Sequence, residues 1–342
     1  MEYHNMVLNL DMVDLKSKRS KNQVNKKYKL TDRKYFIDIA KTLYRIEALC
    51  DFGDVKKGDR GGWVESESNL DDSRNAWVGE NAQVFGDARV YGDATVLGNT
   101  KVFENSEIYG DARVYDNAEV CRNAKVFGHA SVLGNTKVYG NAKVCGDSVV
   151  YRKAQVYGHA LVYGSAMVYG NAEISGDTYV GENAKVGGNS HVDGGAMIYE
   201  NAWVGENARV YGDAKVGENS EVCGDARVYG NAEVYGNAKV YGNAEVYEHA
   251  KVHGNARVGG DAEVLGFLDI LVLGSLGGCG RTITATWSKD NCVKIAAGCF
   301  FGTIDEFKKA VIKKYGEGES DYLLIIPLLR KKEKEWSEKY KN

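Results

Sequence analysis

Val78-Gly79-Glu80-Asn81-Ala82-Gln83-Val84-Phe85-Gly86-Asp87-Ala88-Arg89-Val90 is the stretch whose reading decides the fold. Its valines stand six residues apart, and the spacing runs on through Val96, Val102 and Ile108 to Val264 without an insertion or deletion. A small residue precedes each by two, from Ala76 and Ala82 through Thr100 and Ser106 to Ala262. From Asn75 to Gly266 the chain is 32 such hexads. A fixed short period is the signature of a repeat architecture. Residues two apart in a strand share a face, so Ala and Val point inward together and the residue between them points out. That outward residue is usually Lys, Arg or Glu.

The first hexad position is Asn, Asp, His or Gly in 30 of 32 hexads, Lys153 and Ser165 excepted. These residue types tolerate a left-handed backbone, so each hexad reads as a short strand closed by a sharp turn, with the left-handed residue expected at this first position. Three hexads close one triangular coil of 18 residues. At ~4.8 Å per coil, nearly eleven coils make a prism roughly 50 Å long.

The Val-Gly-Glu-Asn-Ala strings at Val78–Ala82 and Val204–Ala208 closely resemble the hexapeptide signature of left-handed parallel β-helices. The left hand is what that resemblance implies. The string Asp51-Phe52-Gly53-Asp54-Val55-Lys56-Lys57-Gly58-Asp59-Arg60-Gly61-Gly62-Trp63-Val64, with the repeats after it, resembles uncharacterised bacterial and phage hexapeptide-repeat proteins of the YdcK kind. That likeness implies a fold and carries over no activity. The expected architecture is therefore an all-β solenoid, a left-handed parallel β-helix with an N-terminal cap and a small α+β C-terminal domain.

Four segments follow. Residues 1–27 read as a flexible basic segment, with Lys16, Lys18, Arg19, Lys21, Lys26 and Lys27 solvated and a nucleic-acid arm as the minor alternative. Residues 28–74 read as a β cap, with Trp63 large enough to cover the open end of the stack. Residues 75–266 are the solenoid. Residues 267–342 break the period: Arg281–Trp287 and Cys292–Ala296 alternate like paired strands. Thr303 and Glu306 form a capping box before a helix over Ile304–Tyr315. Tyr322–Leu329 is ambiguous, and the charged end from Arg330 to Asn342 reads as a helical or frayed tail. The string Gly298-Cys-Phe-Phe-Gly-Thr-Ile-Asp-Glu-Phe307 resembles a small domain appended to repeat proteins of phages and low-GC bacteria.

A formal net charge of −3 gives no global nucleic-acid or membrane signal. No apolar run approaches the ~18 residues of a membrane span. The start, Met-Glu-Tyr-His-Asn, lacks a signal-peptide core. Seven cysteines without paired spacing point to a reduced, cytoplasmic setting. Metal and cofactor sites are not expected: there is no Cys-x-x-Cys and no Gly-Lys-Ser/Thr string.

The enzymatic alternative is a trimeric hexapeptide acyltransferase using acyl-CoA and a small acceptor, since many proteins that resemble this prism use a His general base at a seam between prisms, often beside a projecting loop. Here no loop interrupts the hexads. His129, His159 and His249 replace Asn or Asp at the turn, and His253 stands on a corner. His191, on a flat face, is the candidate base should that reading hold. Cys299 is expected to be a buried thiol rather than a nucleophile.

The sharper signal is apolar. At 18-residue steps one outward row runs Arg89, Glu107, Lys125, Lys143, then Leu161, Tyr179, Met197, then Lys215, Glu233, Lys251. The next face carries Val149, Met167, Lys185 and Trp203, and the corner between them Tyr163, Gly181 and Tyr199. Clustered large apolar residues mark an interface, with a protein partner or a second copy. The aromatic ladders, such as Tyr91, Tyr109 and Phe127, read mainly as stabilising stacks. The expectation is a non-enzymatic scaffold. The phage resemblance suggests a partner such as a host-defence complex, for example a CRISPR-type nuclease.

Overall fold

The structure, a computed structural model, describes residues 26–37, 41–266, 269–276, 281–318 and 320–340. The expectations for Lys16, Lys18, Arg19 and Lys21 fall outside these residues. Three strands come first: β1 (Tyr28–Phe36), β2 (Thr42–Ala48) and β3 (Arg60–Val64). The 32 hexads follow as β4 (Trp77–Val78) through β35 (Ala262–Val264), one strand per hexad. The chain then forms β36 (Ile270–Leu276), β37 (Arg281–Ser288), β38 (Cys292–Ala297) and β39 (Phe300–Thr303). Its helices are α1 (Ile304–Tyr315), α2 (Asp321–Leu324) and α3 (Ile326–Lys339).

The hexad strands stack in parallel on three faces, each strand pairing with the one 18 residues on: Val144 with Val162, and Val162 with Val180. The protein is a parallel β-solenoid of about 11 turns. We call the faces first (from Trp77), second (from Gln83) and third (from Arg89). The second and fourth hexad positions fill the interior: Ala160, Val162, Ala166 and Val168 are each 0 % exposed. Burying a valine contributes about 1.5–3 kcal/mol, and every hexad repeats it. Where Ser or Thr replaces the small Ala, the hydroxyl can return to the backbone three residues back, as Ser106 Oγ does to the Phe103 carbonyl (2.9 Å) and Ser220 Oγ to Gly217 (2.7 Å).

The left-handed residue is not the first hexad position but the sixth, immediately before the Asn or Asp. Gly98 has φ 74°, Gly212 φ 70°, and Glu80, Asp116, Arg122 and Glu200 also lie in this region. Carboxylates at this position tie one coil to the next. Glu80 accepts from the Gly98 N–H (2.8 Å), Asp116 from Gly134 (3.0 Å) and Glu206 from Gly224 (2.6 Å), each one coil on. First-position asparagines instead form ladders. Asn183 donates its amide to Asn201, and Asn201 to Asn219, both at 3.2 Å.

The N-terminal cap differs from expectation in two ways. Trp63 is half-buried in an outward position, paired with Gln83, with Arg45 over its ring and Tyr35 tilted against it. The strand register explains this, since Val64 takes the inward place over Val84. Tyr28, Ile46, Ala48, Leu70 and Trp77 join the core there instead. Second, the segment expected to be flexible through residue 27 ends in fixed contacts. Lys26 pairs with Glu67 (2.6 Å), and Lys27 is only 4 % exposed. Its Nζ donates to the Arg74 and Ala76 carbonyls and lies 4.8 Å from the Phe52 ring centre.

The C-terminal strands form an antiparallel sheet continuous with the prism, because β37 also pairs with β35. Ile270 and Val272 pack on the prism core, whereas Leu271 and Leu273 pack on a second core with Trp287, Phe307, Leu329 and Trp336. The Thr303–Glu306 capping box is present, and the ambiguous segment is helical.

Candidate protein-binding surface

Parallel, in-register pairing brings the predicted rows together. On the third face Leu161 lies beside Tyr179, and Tyr179 beside Met197, with Lys143 and Lys215 on the flanking strands. On the first face Val149 neighbours Met167, then come Lys185 and Trp203. The turn between these faces carries Tyr163 and Tyr199. Only Met197, at 40 %, is exposed; the other seven candidates are half-buried.

For the two corner tyrosines the half-burial has a physical cause that the rows alone do not reveal. Each corner tyrosine leans flat across the residue one coil on, and that residue is Gly. The Tyr163 ring occupies the space where a side chain on Gly181 would stand, 2.0 Å from its would-be Cβ, and Tyr199 does the same over Gly217 at 2.3 Å. An aromatic followed 18 residues later by Gly is the sequence signal for this lean. Trp203 is likewise anchored, its Nε1 donating to the Tyr169 hydroxyl at 3.2 Å. Tyr163, Tyr199 and Trp203 are thus held by their neighbours, and Met197 is the exposed member of the patch.

Its border is charged. Glu182, Glu200 and Glu218 occupy successive left-handed positions at the same corner. Burial and the nearby Glu200 carboxylate raise the Tyr199 hydroxyl above the usual tyrosine range. Lys143 and Lys215 flank the third-face row, and Lys185 stands between Met167 and Trp203 on the first face.

Five histidines are described, and one of them, His159, stands at the turn two residues before Leu161. His191 Nε2 is 3.4 Å from Glu173 on the exposed second face, His129 pairs with Asp111 (3.5 Å), and His159 contacts Asn141 (3.4 Å). His253 stacks on Tyr235 and His249 is exposed. Cys299 is exposed, not buried as expected, because it sits in the turn between β38 and β39. No group of three metal-ligating side chains occurs among the described residues. No helix among them is long and apolar enough to cross a membrane.

Comparison with known families fits this geometry. A family model described as YdcK Beta solenoid repeat matches residues 82–98 and 154–170, both within the prism. The second stretch contains Leu161, Tyr163 and Met167. No curated protein matches the chain.

Proposed function

We propose that the protein is a non-enzymatic binding solenoid whose middle coils hold a protein partner. One observation carries this reading: Leu161, Tyr179 and Met197 sit side by side on three successive strands of one flat face. Rings already fixed against glycine lose little conformational freedom on binding, which favours a preorganised interface. The glutamate corner would take basic groups on a partner, and the flanking lysines acidic ones. A host-defence complex is the partner class that the phage resemblance suggests. A second copy using the same patch about a twofold axis would satisfy the same chemistry.

The test is Leu161→Glu combined with Met197→Glu. Both side chains point outward, so circular dichroism should stay unchanged while light-scattering mass or partner pull-down falls to the level of a non-binding control. Unchanged mass and unchanged partner recovery in a folded double variant would refute the reading. Acetyl transfer from acetyl-CoA that vanishes in His191→Ala would establish the acyltransferase instead.

A further inference from the structure

The C-terminal domain holds a cavity of about 70 Å³ between β37–β39 and the first two helices. Its floor is apolar and buried: Phe307, Val311 and Tyr322 are 3 %, 5 % and 6 % exposed. Phe300 forms one wall, its ring centre 5.4 Å from that of Phe307. The Tyr322 hydroxyl is turned to the Leu276 carbonyl (3.1 Å), leaving ring rather than hydroxyl for the cavity. Two cations complete the lining, Arg281 and Lys314, and no carboxylate lines it among the described residues. Neither cation has an ion-pair partner among them. The Arg281 guanidinium is held against the backbone, its Nη1 3.3 Å from where a Cβ on Gly298 would project. The Lys314 ammonium rests 5.2 Å from the centre of the exposed Tyr315 ring.

We propose that this cavity binds a small apolar carboxylate, its hydrocarbon end against Phe307 and Val311 and its carboxylate on Arg281 and Lys314. An apolar pocket with a few convergent polar groups is the usual form of a ligand site. A guanidinium presents a planar fork that matches a carboxylate, and charge-assisted hydrogen bonds are the strong ones. The cavity volume suits a branched four-carbon group, which a free acid or the last residue of a protein chain could supply. The site lies in a different domain from the prism patch, so either can fail without the other.

The experiment is calorimetric titration of the full chain with three probes: 3-methylbutanoate, its amide, and acetyl-Gly-Gly-Leu with a free C-terminal carboxylate. Saturable binding of a carboxylate probe is expected, weakened about tenfold or more both by the amide probe and by Arg281→Gln. Val311→Trp, which fills the floor, should abolish it. Tighter binding of the peptide than of the free acid assigns the site to a protein C-terminus, and equal binding to a small acid. The proposal is overturned if wild type binds neither carboxylate more tightly than about 10 mM. It is also overturned if the amide binds as well as the acid, a comparison that needs no variant.

Discussion

A middle coil and an end coil of this prism face the same chemistry with different help. In the middle, the third-position N–H of one coil donates to the second-position carbonyl of the next, as Lys143 does to Ala160 and Leu161 to Thr178, both at 2.9 Å. Every rung is supplied by its neighbours, so six residues suffice as an instruction. At the ends the neighbour is missing and the partner must come from elsewhere. Ala76 begins the first face, and Lys27 Nζ donates to its carbonyl (3.2 Å). Arg257 ends that face, and its N–H donates to Thr284 Oγ1 (2.8 Å) of the C-terminal sheet. An uncapped solenoid end exposes both core and backbone. Repetition therefore stabilises the interior, whereas each end depends on one-off residues recruited from distant sequence.

The sharpest way to break that contrast is in the middle. Val162 is 0 % exposed, with Val144 and Val180 directly above and below it. Val162→Asp would bury an unpaired charge among apolar neighbours, and we expect a loss of at least about 4 kcal/mol, or no folded protein. Urea unfolding followed by circular dichroism measures it. A loss under about 1 kcal/mol would show that the column is not a dry core.

The end coil predicts a smaller, pH-dependent effect. Lys27→Met keeps the stem that packs near Phe52 but removes the donor to two carbonyls, which should cost about 1–3 kcal/mol. Burial pulls the Lys27 ammonium below its ordinary value of 10.5, an effect only partly offset by Asp71 and Asp72. In the range just below 10.5 the folded chain then binds fewer protons at this site than the unfolded chain. Stability of the native protein should therefore rise with pH there, relative to Lys27→Met. Parallel pH profiles for the two proteins would count against a buried, charged cap.

The same contrast decides what the sequence could tell. The prism was legible because each hexad states its own inside and outside. Less was legible where one strand serves two cores: Ile270-Leu271-Val272-Leu273 is apolar on both faces and has no alternation to read. Lys27 gave no sign of burial, because a lysine in a basic run looks solvated until the missing rung above it is known. Of the candidate surface, the rows and their in-register stacking were readable from 18-residue steps. The lean of Tyr163 over Gly181 was written in the same column but needs the geometry to be understood. Trp63 misled through its size, since register and not volume decides which way a side chain faces.

The smallest expected effect separates two adjacent positions of one turn. The types favoured at the first hexad position, above all Asn and Asp, suggest a residue chosen for a left-handed backbone, yet that conformation belongs to the sixth position. Asn201 is exposed and has one amide bond to each neighbouring coil, from Asn183 and to Asn219. Exposed side-chain hydrogen bonds of this kind are worth little net, so Asn201→Ala should cost only about 0.5–1 kcal/mol. Gly212 provides the matched control at the sixth position. It has φ 70°, and a Cβ there would meet the Gly230 backbone N and O at 3.0 Å. Gly212→Ala combines left-handed strain with that close approach and should cost about 1–3 kcal/mol. Chemical denaturation of the two variants under one condition gives the comparison. If Asn201→Ala proves the more damaging, the turn depends on its amide ladder rather than on the left-handed residue before it.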